Sequence, residues 1–400
     1  MNFPRILKKR KGYIDRIKPF MQKSVVKVLT GQRRVGKSFL LYQLIEEILA
    51  KEPDANIIYV NLEDFTFSSL QTAEDLHSYI ISHSKEKVKN YIFIDEIQDI
   101  PGFEKVIRSL LLNEDNDIYI TGSNAKMLSG ELATYLSGRY IEFKIYSLSY
   151  SEFLEFHGLT ESETSYELYS RYGGLPYLLN LPLEDETVNE YLKSVYSTIV
   201  FRDVVSRYKL RNTLFLEKLI QFLSENIGNL FSSKNISDYL KSQHTTISVN
   251  QIQSYTEYLN NAFLIHRVER YDLIGKRVFE IGEKYYFENM GIRNIVIGYR
   301  ITDKAKILEN LVYNHLLYKG YDIKVGYYGD KGIDFIGEKN GEKLYIQVAL
   351  KIDGDTAERE FGNLLKIQDN YPKIVLTEDT FSGNSYEGIR HCPIRQFLME

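Results

Sequence analysis

The chain has 400 residues, of which 44% are hydrophobic and 26% charged, so it is long enough for two or three domains with substantial cores. Its net charge of −4 gives no general attraction to nucleic acid or to an anionic membrane, and any DNA contact must come from a local patch. No apolar run reaches the length of a membrane span, and the basic segment Met1 to Lys11 lacks the apolar core of a signal peptide, which predicts a cytoplasmic protein. The single cysteine, Cys392, excludes an internal disulfide framework and a cysteine-based zinc site.

From about residue 24 to residue 148, short apolar runs alternate with segments of helical periodicity. Short runs that are apolar throughout are typical of strands buried on both faces. The alternation therefore predicts an α/β fold over residues 1–148, with a parallel sheet and helices on both of its faces. The predicted strands span residues 25–30, 57–62, 91–96, 117–122 and 140–146.

A glycine-containing turn separates the first predicted strand, Val25 to Leu29, from a helical run, Phe39 to Leu49. Its sequence, Gly-Gln-Arg-Arg-Val-Gly-Lys-Ser over residues 31–38, fits the pattern G-x-x-x-x-G-K-[ST] at every fixed position. The glycines let backbone N–H groups point at phosphate oxygens, and the helix N-terminus adds partial positive charge. Lys37 would neutralise the β- and γ-phosphates and Ser38 would ligate Mg²⁺, so the turn predicts binding of ATP or GTP. The predicted nucleotide-contacting residues are Gly31, Gln32, Arg33, Arg34, Val35, Gly36, Lys37, Ser38 and Phe39.

Two adjacent carboxylates, Asp95 and Glu96, follow the apolar run Tyr91 to Ile94. The spacing from the phosphate loop suits a Walker B strand, in which Asp95 holds the magnesium ion through water and Glu96 is the general base that polarises the attacking water. A protein that only stores nucleotide has no use for a water-activating glutamate. The pair therefore favours hydrolysis over binding alone.

Small polar residues end the next predicted strand, in the sequence Thr121-Gly-Ser-Asn124. In ATPases with an extra strand between the phosphate loop and the Walker B strand, this position carries a polar sensor of the γ-phosphate. Ser123 or Asn124 can fill that role. The alternative is that both residues cap the helix predicted from Ala125 to Leu132.

Beyond residue 148 the pattern becomes mainly helical as far as Tyr208, and three helices followed by two strand-like runs then predict a winged helix over residues 214–300. The predicted helices span Leu216 to Ile227, Asn235 to Lys241 and Ser248 to Ala262, and the strands span Phe263 to Arg270 and Arg277 to Tyr286. In such a fold the third helix can enter a DNA major groove while the hairpin meets phosphates. A protein contact or a purely structural role are the alternatives, because the third helix is polar but poorly basic. The candidate DNA-contacting residues are Asn250, Gln251, Gln253, Ser254, Arg267, Arg270, Lys276 and Arg277.

Residues 301–400 show the order of elements found in nucleases with the signature PD-(D/E)-x-K. In those enzymes a glutamate of the first helix, an aspartate on one strand and a Glu-x-Lys on the next bind the metal and activate water. Glu309 and Asp334 fit the first two places, whereas Gln347 and Ala349 occupy the last two. Because one carboxylate is neutralised and the lysine is missing, the sequence disfavours nuclease activity. Lys351 can replace the missing lysine of the signature only if its side chain reaches back along the strand.

Taken together, these motifs resemble the prokaryotic ATPases that pair an AAA-type domain with a C-terminal domain of unknown function. The resemblance rests on residues 31–38, 93–98, 121–124, 137–139, 148–153, 173–176, 308–313, 334–335 and 345–348. It implies an additional-strand ATPase core (1–148), a helical lid (149–213), a winged helix (214–300) and a small, degenerate nuclease-like α/β domain (301–400). It also implies ATP rather than GTP, since no guanine-reading Asn-Lys-x-Asp motif is present.

By the same resemblance, Arg139 is a candidate arginine finger or γ-phosphate sensor, in cis or from a neighbouring subunit, which makes a homo-oligomer one candidate assembly. The alternative is that the Arg139 side chain only forms a surface ion pair at a strand edge. The leading hypothesis is an ATPase in which Mg–ATP binding and hydrolysis drive a conformational switch. The second is a nucleic-acid-binding module regulated by ATP, and the third is a metal-dependent DNA nuclease. DNA and a protein client are therefore the candidate macromolecular partners, and no membrane contact is expected.

Overall fold

The computed structural model describes residues 8–127, 133–136, 138–242, 247–273, 275, 282–329, 331–352, 354–378 and 385–400. They form two compact units. The first contains the chain up to Tyr146 together with Asn261–Phe263, and the second contains Ser147–Asn260 and Leu264–Glu400. Within the described ranges, no helix is both long and apolar enough to span a bilayer.

A five-stranded parallel sheet forms the centre of the first unit, with the strand order β2-β3-β4-β1-β5. The strands are β1 (Val26–Thr30), β2 (Asn56–Asn61), β3 (Asn90–Asp95), β4 (Asn116–Gly122) and β5 (Tyr140–Lys144). The parallel sheet predicted from the sequence is thus confirmed. Strand β4 lies between β1 and β3, as expected for an additional-strand ATPase core. Every residue of β1, β3 and β4 is buried, as is usual for the central strands of a parallel sheet with helices on both faces.

Helices cover both faces of this sheet. They are α1 (Lys11–Ile17), α2 (Lys37–Lys51), α3 (Ala73–His83), α4 (Phe103–Leu110) and α5 (Ala133–Leu136). On one face, Ile58 of β2 shares a core with Leu76 of α3 and Ile107 of α4. Because side chains alternate along a strand, Tyr59 points to the other face, where its ring centroid lies 5.5 Å from that of Tyr42 on α2.

A buried ion pair joins the central strands β1 and β4. The side chains of Lys27 and Asp117 have no solvent exposure, and the ammonium donates to Asp117 Oδ1 and, at 2.9 Å, to the Val25 carbonyl. The other carboxylate oxygen accepts from the Tyr119 hydroxyl at 2.8 Å and from the Gln22 backbone N–H at 2.9 Å. Burial lowers the pKa of Lys27, although the charge of Asp117 opposes the shift. Each charge is therefore compensated chiefly by its partner.

We expect Asp117→Asn to lower the free energy of unfolding by about 3–5 kcal/mol, because it leaves a buried ammonium without a counter-charge. Urea unfolding followed by circular dichroism would measure the change. The same substitution at the half-buried Asp115, two residues earlier, is the matched control and should have a much smaller effect. Equal losses of unfolding free energy in the two variants would contradict a stabilising role for the Lys27–Asp117 ion pair.

The second unit begins with helices, in agreement with the helical pattern of residues 149–208. They are α6 (Tyr150–His157), α7 (Glu163–Tyr172), α8 (Asp185–Thr198), a π-helix (Ile199–Ser206), α9 (Thr213–Glu225), α10 (Ser233–Ser242) and α11 (Val249–Asn261). Capping boxes at Ser149 and Ser162 explain where α6 and α7 begin, since each serine accepts a bond from the third backbone N–H of its helix.

The hairpin predicted after α11 is present as β6 (Ile265–Asp272) and β7 (Glu283–Phe287), which pair antiparallel. It belongs to a larger eight-stranded sheet with the order β12-β13-β11-β10-β9-β8-β6-β7. The remaining elements are α12 (Met290–Ile297), α13 (Lys304–Tyr318), β8 (Asp322–Tyr328), β9 (Lys331–Lys339), β10 (Glu342–Ala349), α14 (Gly354–Leu365), β11 (Lys373–Thr377), β12 (Ser385–Tyr386), β13 (Ile389–Pro393) and α15 (Ile394–Phe397). The parallel pairing of β6 with β8 joins the hairpin to the terminal strands, which the sequence did not predict. The predicted domain boundaries at residues 148, 213 and 300 stay predictions.

Candidate nucleotide site

The phosphate loop runs from the end of β1 at Thr30 to the start of α2 at Lys37. Gly31 has φ +152°, and a Cβ there would lie 2.1 Å from the Ile145 carbonyl oxygen, so no side chain fits. Gly36 has φ +96° and directly precedes the helix. The two glycines of the pattern thus stand where the backbone requires them, which leaves the first N–H groups of α2 facing the loop interior.

Lys37 is buried and its ammonium lies inside the loop. It donates to the carbonyl oxygens of Gly31 and Gln32, each at 3.0 Å, and its Nζ lies 3.7 Å from Glu96 Oε1. Three oxygens therefore hold the charge where the sequence predicts a β/γ-phosphate contact. Phosphate oxygens, which carry more charge than carbonyl oxygens, would compete for the same ammonium.

The other loop residues have different surroundings. Arg33 is buried and donates to Glu63 Oε1 at 2.8 Å, whereas the side chain of Arg34 is exposed. Val35 is fully buried, and Phe39 on α2 is 45% exposed. Val35 therefore packs in the interior, and the Phe39 ring lies at the surface with its centroid 5.9 Å from that of Tyr42.

Asp95 ends strand β3 and is buried. Its carboxylate accepts hydrogen bonds from the hydroxyls of Ser38, Thr121 and, at 3.3 Å, Tyr59. Burial raises the pKa of Asp95, although the bonds from Ser38 and Thr121 and the charge of Lys37 oppose this shift. The Ser38 hydroxyl and the Asp95 carboxylate thus form an oxygen pair of the kind that Mg²⁺ prefers.

Glu96 follows in a left-handed backbone conformation with φ +56°. Its backbone N–H donates to Thr121 Oγ1 at 3.0 Å, and its Oε2 accepts from Gln98 Nε2 and, at 3.1 Å, from Ser123 Oγ. Burial opposes ionisation of this carboxyl, but the charges of Lys37 and Arg33 and the two side-chain bonds outweigh it and lower its pKa. Glu96 is therefore ionised at neutral pH, as a general base must be.

The structure separates the two candidates at the end of β4. Ser123 is fully buried and reaches Glu96, whereas Asn124 Oδ1 accepts from the Lys126 backbone N–H at 2.7 Å and caps the short turn that follows. Lys37, Ser38, Asp95, Glu96 and Ser123 are thus brought together. Thr121, Gln98 and Tyr59 were not predicted as site residues, although Thr121 lies near the carboxyl end of β4 and Gln98 just beyond β3; Tyr59 lies within β2.

Arg139 lies away from the phosphate loop. It directly precedes β5, and its carbonyl accepts from the Val26 N–H at the amino end of β1, so it lies about 13 Å along the strand from the phosphate loop. Among the described residues its side chain makes no hydrogen bond or ion pair, which does not support the surface ion pair. The placement also does not support contact in cis. Ser137, its neighbour in the motif, lies outside the described residues.

The residues at the positions of the nuclease signature lie in the second unit. Glu309 on α13, Asp334 on β9 and Gln347 on β10 are brought together, since Gln347 Oε1 accepts from the Asp334 backbone N–H at 3.4 Å. Lys284 of β7, which no sequence motif indicated, lies between the Glu309 and Asp334 carboxylates. Ala349 ends β10, and the exposed Lys351 lies beyond it.

The candidate DNA-contacting residues have mixed surroundings. On α11, Asn250 and Gln253 are exposed and Gln251 and Ser254 are half-buried, but Glu257 is exposed on the same helix. The hairpin arginines already have partners. Arg267 lies 3.7 Å from Glu269 and 3.6 Å from Glu283, and the Arg270 guanidinium lies 3.5 Å from the Tyr327 ring centroid. Lys276 and Arg277 lie outside the described residues.

A phosphate loop on an additional-strand sheet, with a Walker B aspartate and glutamate beside it, defines the class of P-loop ATPases. An AAA-domain family model matches residues 23–154, and a model for a domain of unknown function (DUF8612) matches residues 163–303. The chain belongs to the family of AAA-type ATP-binding proteins with a C-terminal domain of unknown function.

Proteins similar to this chain match it over most or nearly all of its length. An uncharacterized protein of Haemophilus influenzae is 37% identical over 98% of this chain and 98% of its own length. An uncharacterized protein of Methanocaldococcus jannaschii is 30% identical over 84% of this chain and 77% of its own length. Among solved structures, a Walker-type ATPase of Pyrococcus abyssi is 15% identical, with a TM-score of 0.49, and covers 73% of this chain and 96% of that one.

Proposed function

We propose that this protein is a Mg²⁺-dependent ATPase in which ATP binding and hydrolysis drive a conformational switch. The observation that carries the proposal is the position of Glu96, whose carboxyl group is held by Ser123 and Gln98 beside the Lys37 ammonium. A protein that only stores nucleotide does not need this arrangement.

The donor set fits Mg–ATP. The loop offers N–H groups and the Lys37 ammonium to phosphate oxygens, and Ser38 and Asp95 offer oxygens to the metal. When bound, Mg–ATP supplies the phosphoanhydride bond to be cleaved and a polarised γ-phosphate. Glu96 then accepts a proton from the attacking water, while Ser123 and Gln98 keep its carboxylate in place.

The switch follows from competition for Lys37. In the structure the ammonium contacts the Gly31 and Gln32 carbonyls and faces Glu96, and phosphate oxygens would draw it away from all three. The Gln32 side chain also donates to the Phe263 carbonyl at 2.8 Å, and Phe263 lies in the chain between α11 and β6. A change in the loop therefore has a direct route to the segment that joins helix and hairpin.

A nucleic-acid-binding module regulated by ATP is the second candidate. It is favoured by the order of α9, α10 and α11 followed by the β6–β7 hairpin, and by the exposure of Asn250 and Gln253. The acidic partners of Arg267 and the exposed Glu257 weaken it, since they repel phosphates. We therefore favour a protein client over DNA.

The experiment is steady-state ATP hydrolysis by the purified protein with and without duplex and single-stranded DNA. We expect hydrolysis that requires Mg²⁺ and changes by less than about twofold on addition of DNA at low salt. No hydrolysis under any of these conditions would contradict the ATPase proposal. Strong stimulation, together with a gel shift that weakens as salt rises, would instead favour the nucleic-acid module.

A further inference from the structure

A three-residue charge cluster in the second unit is independent of the nucleotide site. Lys284 Nζ on β7 lies 2.8 Å from Glu309 Oε1 on α13 and 3.4 Å from Asp334 Oδ1 on β9. The side chains are only 13%, 17% and 17% exposed, respectively. One ammonium thus bridges two carboxylates that come from different elements.

The carboxylate oxygens are largely engaged. Glu309 Oε1 accepts from Lys284 and also from the Tyr286 hydroxyl at 2.6 Å. Asp334 Oδ1 faces Lys284, and its Oδ2 accepts from the Val348 backbone N–H at 2.9 Å. Three of the four oxygens therefore have partners supplied by the chain itself.

The surroundings favour a firmly held charge. The Tyr286 ring stacks on Tyr313, with centroids 4.4 Å apart, and lies 5.5 Å from the Phe335 ring. Aromatic walls exclude water, so the two acids need a nearby positive charge to stay ionised. Such a charge can come from a divalent metal or from an amine.

We infer that Lys284 is the resident cation of this carboxylate pair and that its ammonium excludes a divalent metal from the terminal site. Two carboxylates with the Gln347 amide oxygen nearby are ligands that Mg²⁺ or Mn²⁺ would accept. A metal bound to both acids would lie within a few ångströms of the ammonium, and the two positive charges would repel each other strongly in this partly buried site. The ammonium also ties β7 to α13 and β9, so the hairpin is fixed to the terminal strands by charge as well as by pairing.

The test is Mn²⁺ binding to the nucleotide-free full chain, followed by the electron paramagnetic resonance signal of free Mn²⁺. Wild type and Asp334→Asn should give the same binding curve. Lys284→Met keeps an unbranched side chain as far as the ε position but removes the ammonium, and should gain roughly one Mn²⁺ site per chain that is at least tenfold tighter than any in wild type. The double variant Lys284→Met/Asp334→Asn should lose that site.

Controls make each outcome decisive. Lys324→Met removes a lysine that faces Glu338 at 3.2 Å, and because only one carboxylate is released there, it should gain no site. Mn²⁺ should also raise the melting temperature of Lys284→Met but not that of wild type. Mn²⁺ binding by wild type that Asp334→Asn abolishes would overturn the inference, as would a folded Lys284→Met that binds no additional Mn²⁺. If Lys284→Met does not fold, the comparison of wild type with Asp334→Asn still decides.

Discussion

Replacing Lys37 by alanine should abolish ATP binding. The Lys37 ammonium is buried inside the phosphate loop, 3.0 Å from each of two loop carbonyls, so its removal takes a positive charge out of the loop interior. Charge-assisted bonds to phosphate are among the strongest that a protein makes, and we expect affinity to fall by about a hundredfold or more. Titration calorimetry with ATP and Mg²⁺ would measure the loss.

Lys51→Ala is the matched control for this experiment. Lys51 ends the same helix α2, is exposed, and carries the same charge at the end remote from the loop. ATP affinity should stay unchanged in that variant, and both variants should unfold like wild type. Retention of ATP by Lys37→Ala would remove the phosphate-loop assignment and with it the proposed function.

Glu96→Gln should keep ATP binding but lose turnover by about 10²- to 10⁴-fold, the range usual for loss of a general base. Glutamine has the same shape, and its amide oxygen can still accept from Ser123 and Gln98, so the site should remain assembled. It cannot accept a proton from water. Hydrolysis measured beside ATP binding on the same preparation would separate the two effects.

For Glu96→Gln the control is Glu114→Gln, an equal change at an exposed residue before β4. Its turnover should match that of wild type. Undiminished hydrolysis by Glu96→Gln would refute the role assigned to Glu96 while leaving nucleotide binding by Lys37 intact. Lys37→Ala thus tests nucleotide binding, and Glu96→Gln tests the chemical step.

Much of the first unit could be predicted because its signals are local. The phosphate loop is a continuous octapeptide whose glycines are required by the backbone itself, and Asp95 ends a buried strand that Glu96 directly follows. Parallel strands end at the same edge of a sheet, which is why the polar residues that follow β3 and β4 lie close together. The choice between Ser123 and Asn124 was not predictable, since it depends on which way the chain turns after β4.

The position of Arg139 could not be predicted from the sequence, for a different reason. Its place in a motif suggested a γ-phosphate contact, but the parallel register of β5 with β1 puts it at the amino end of the sheet. Whether Arg139 lies near the phosphate loop depends only on the direction of β5 relative to that loop. A contact from a neighbouring subunit stays a prediction.

By itself, the sequence determined the parallel-sheet fold of the first unit and predicted the phosphate loop and the Walker B residues, because periodicity and short motifs act over a few neighbouring positions. Tertiary structure alone decided the partners of buried charges. Lys27 meets Asp117 and Lys284 meets Glu309 and Asp334 because strand pairing and packing bring together residues far apart in the chain. A lone lysine in a strand pattern carries no sign of which carboxylate it will face, since the low-dielectric interior imposes that pairing only after the strands have come together.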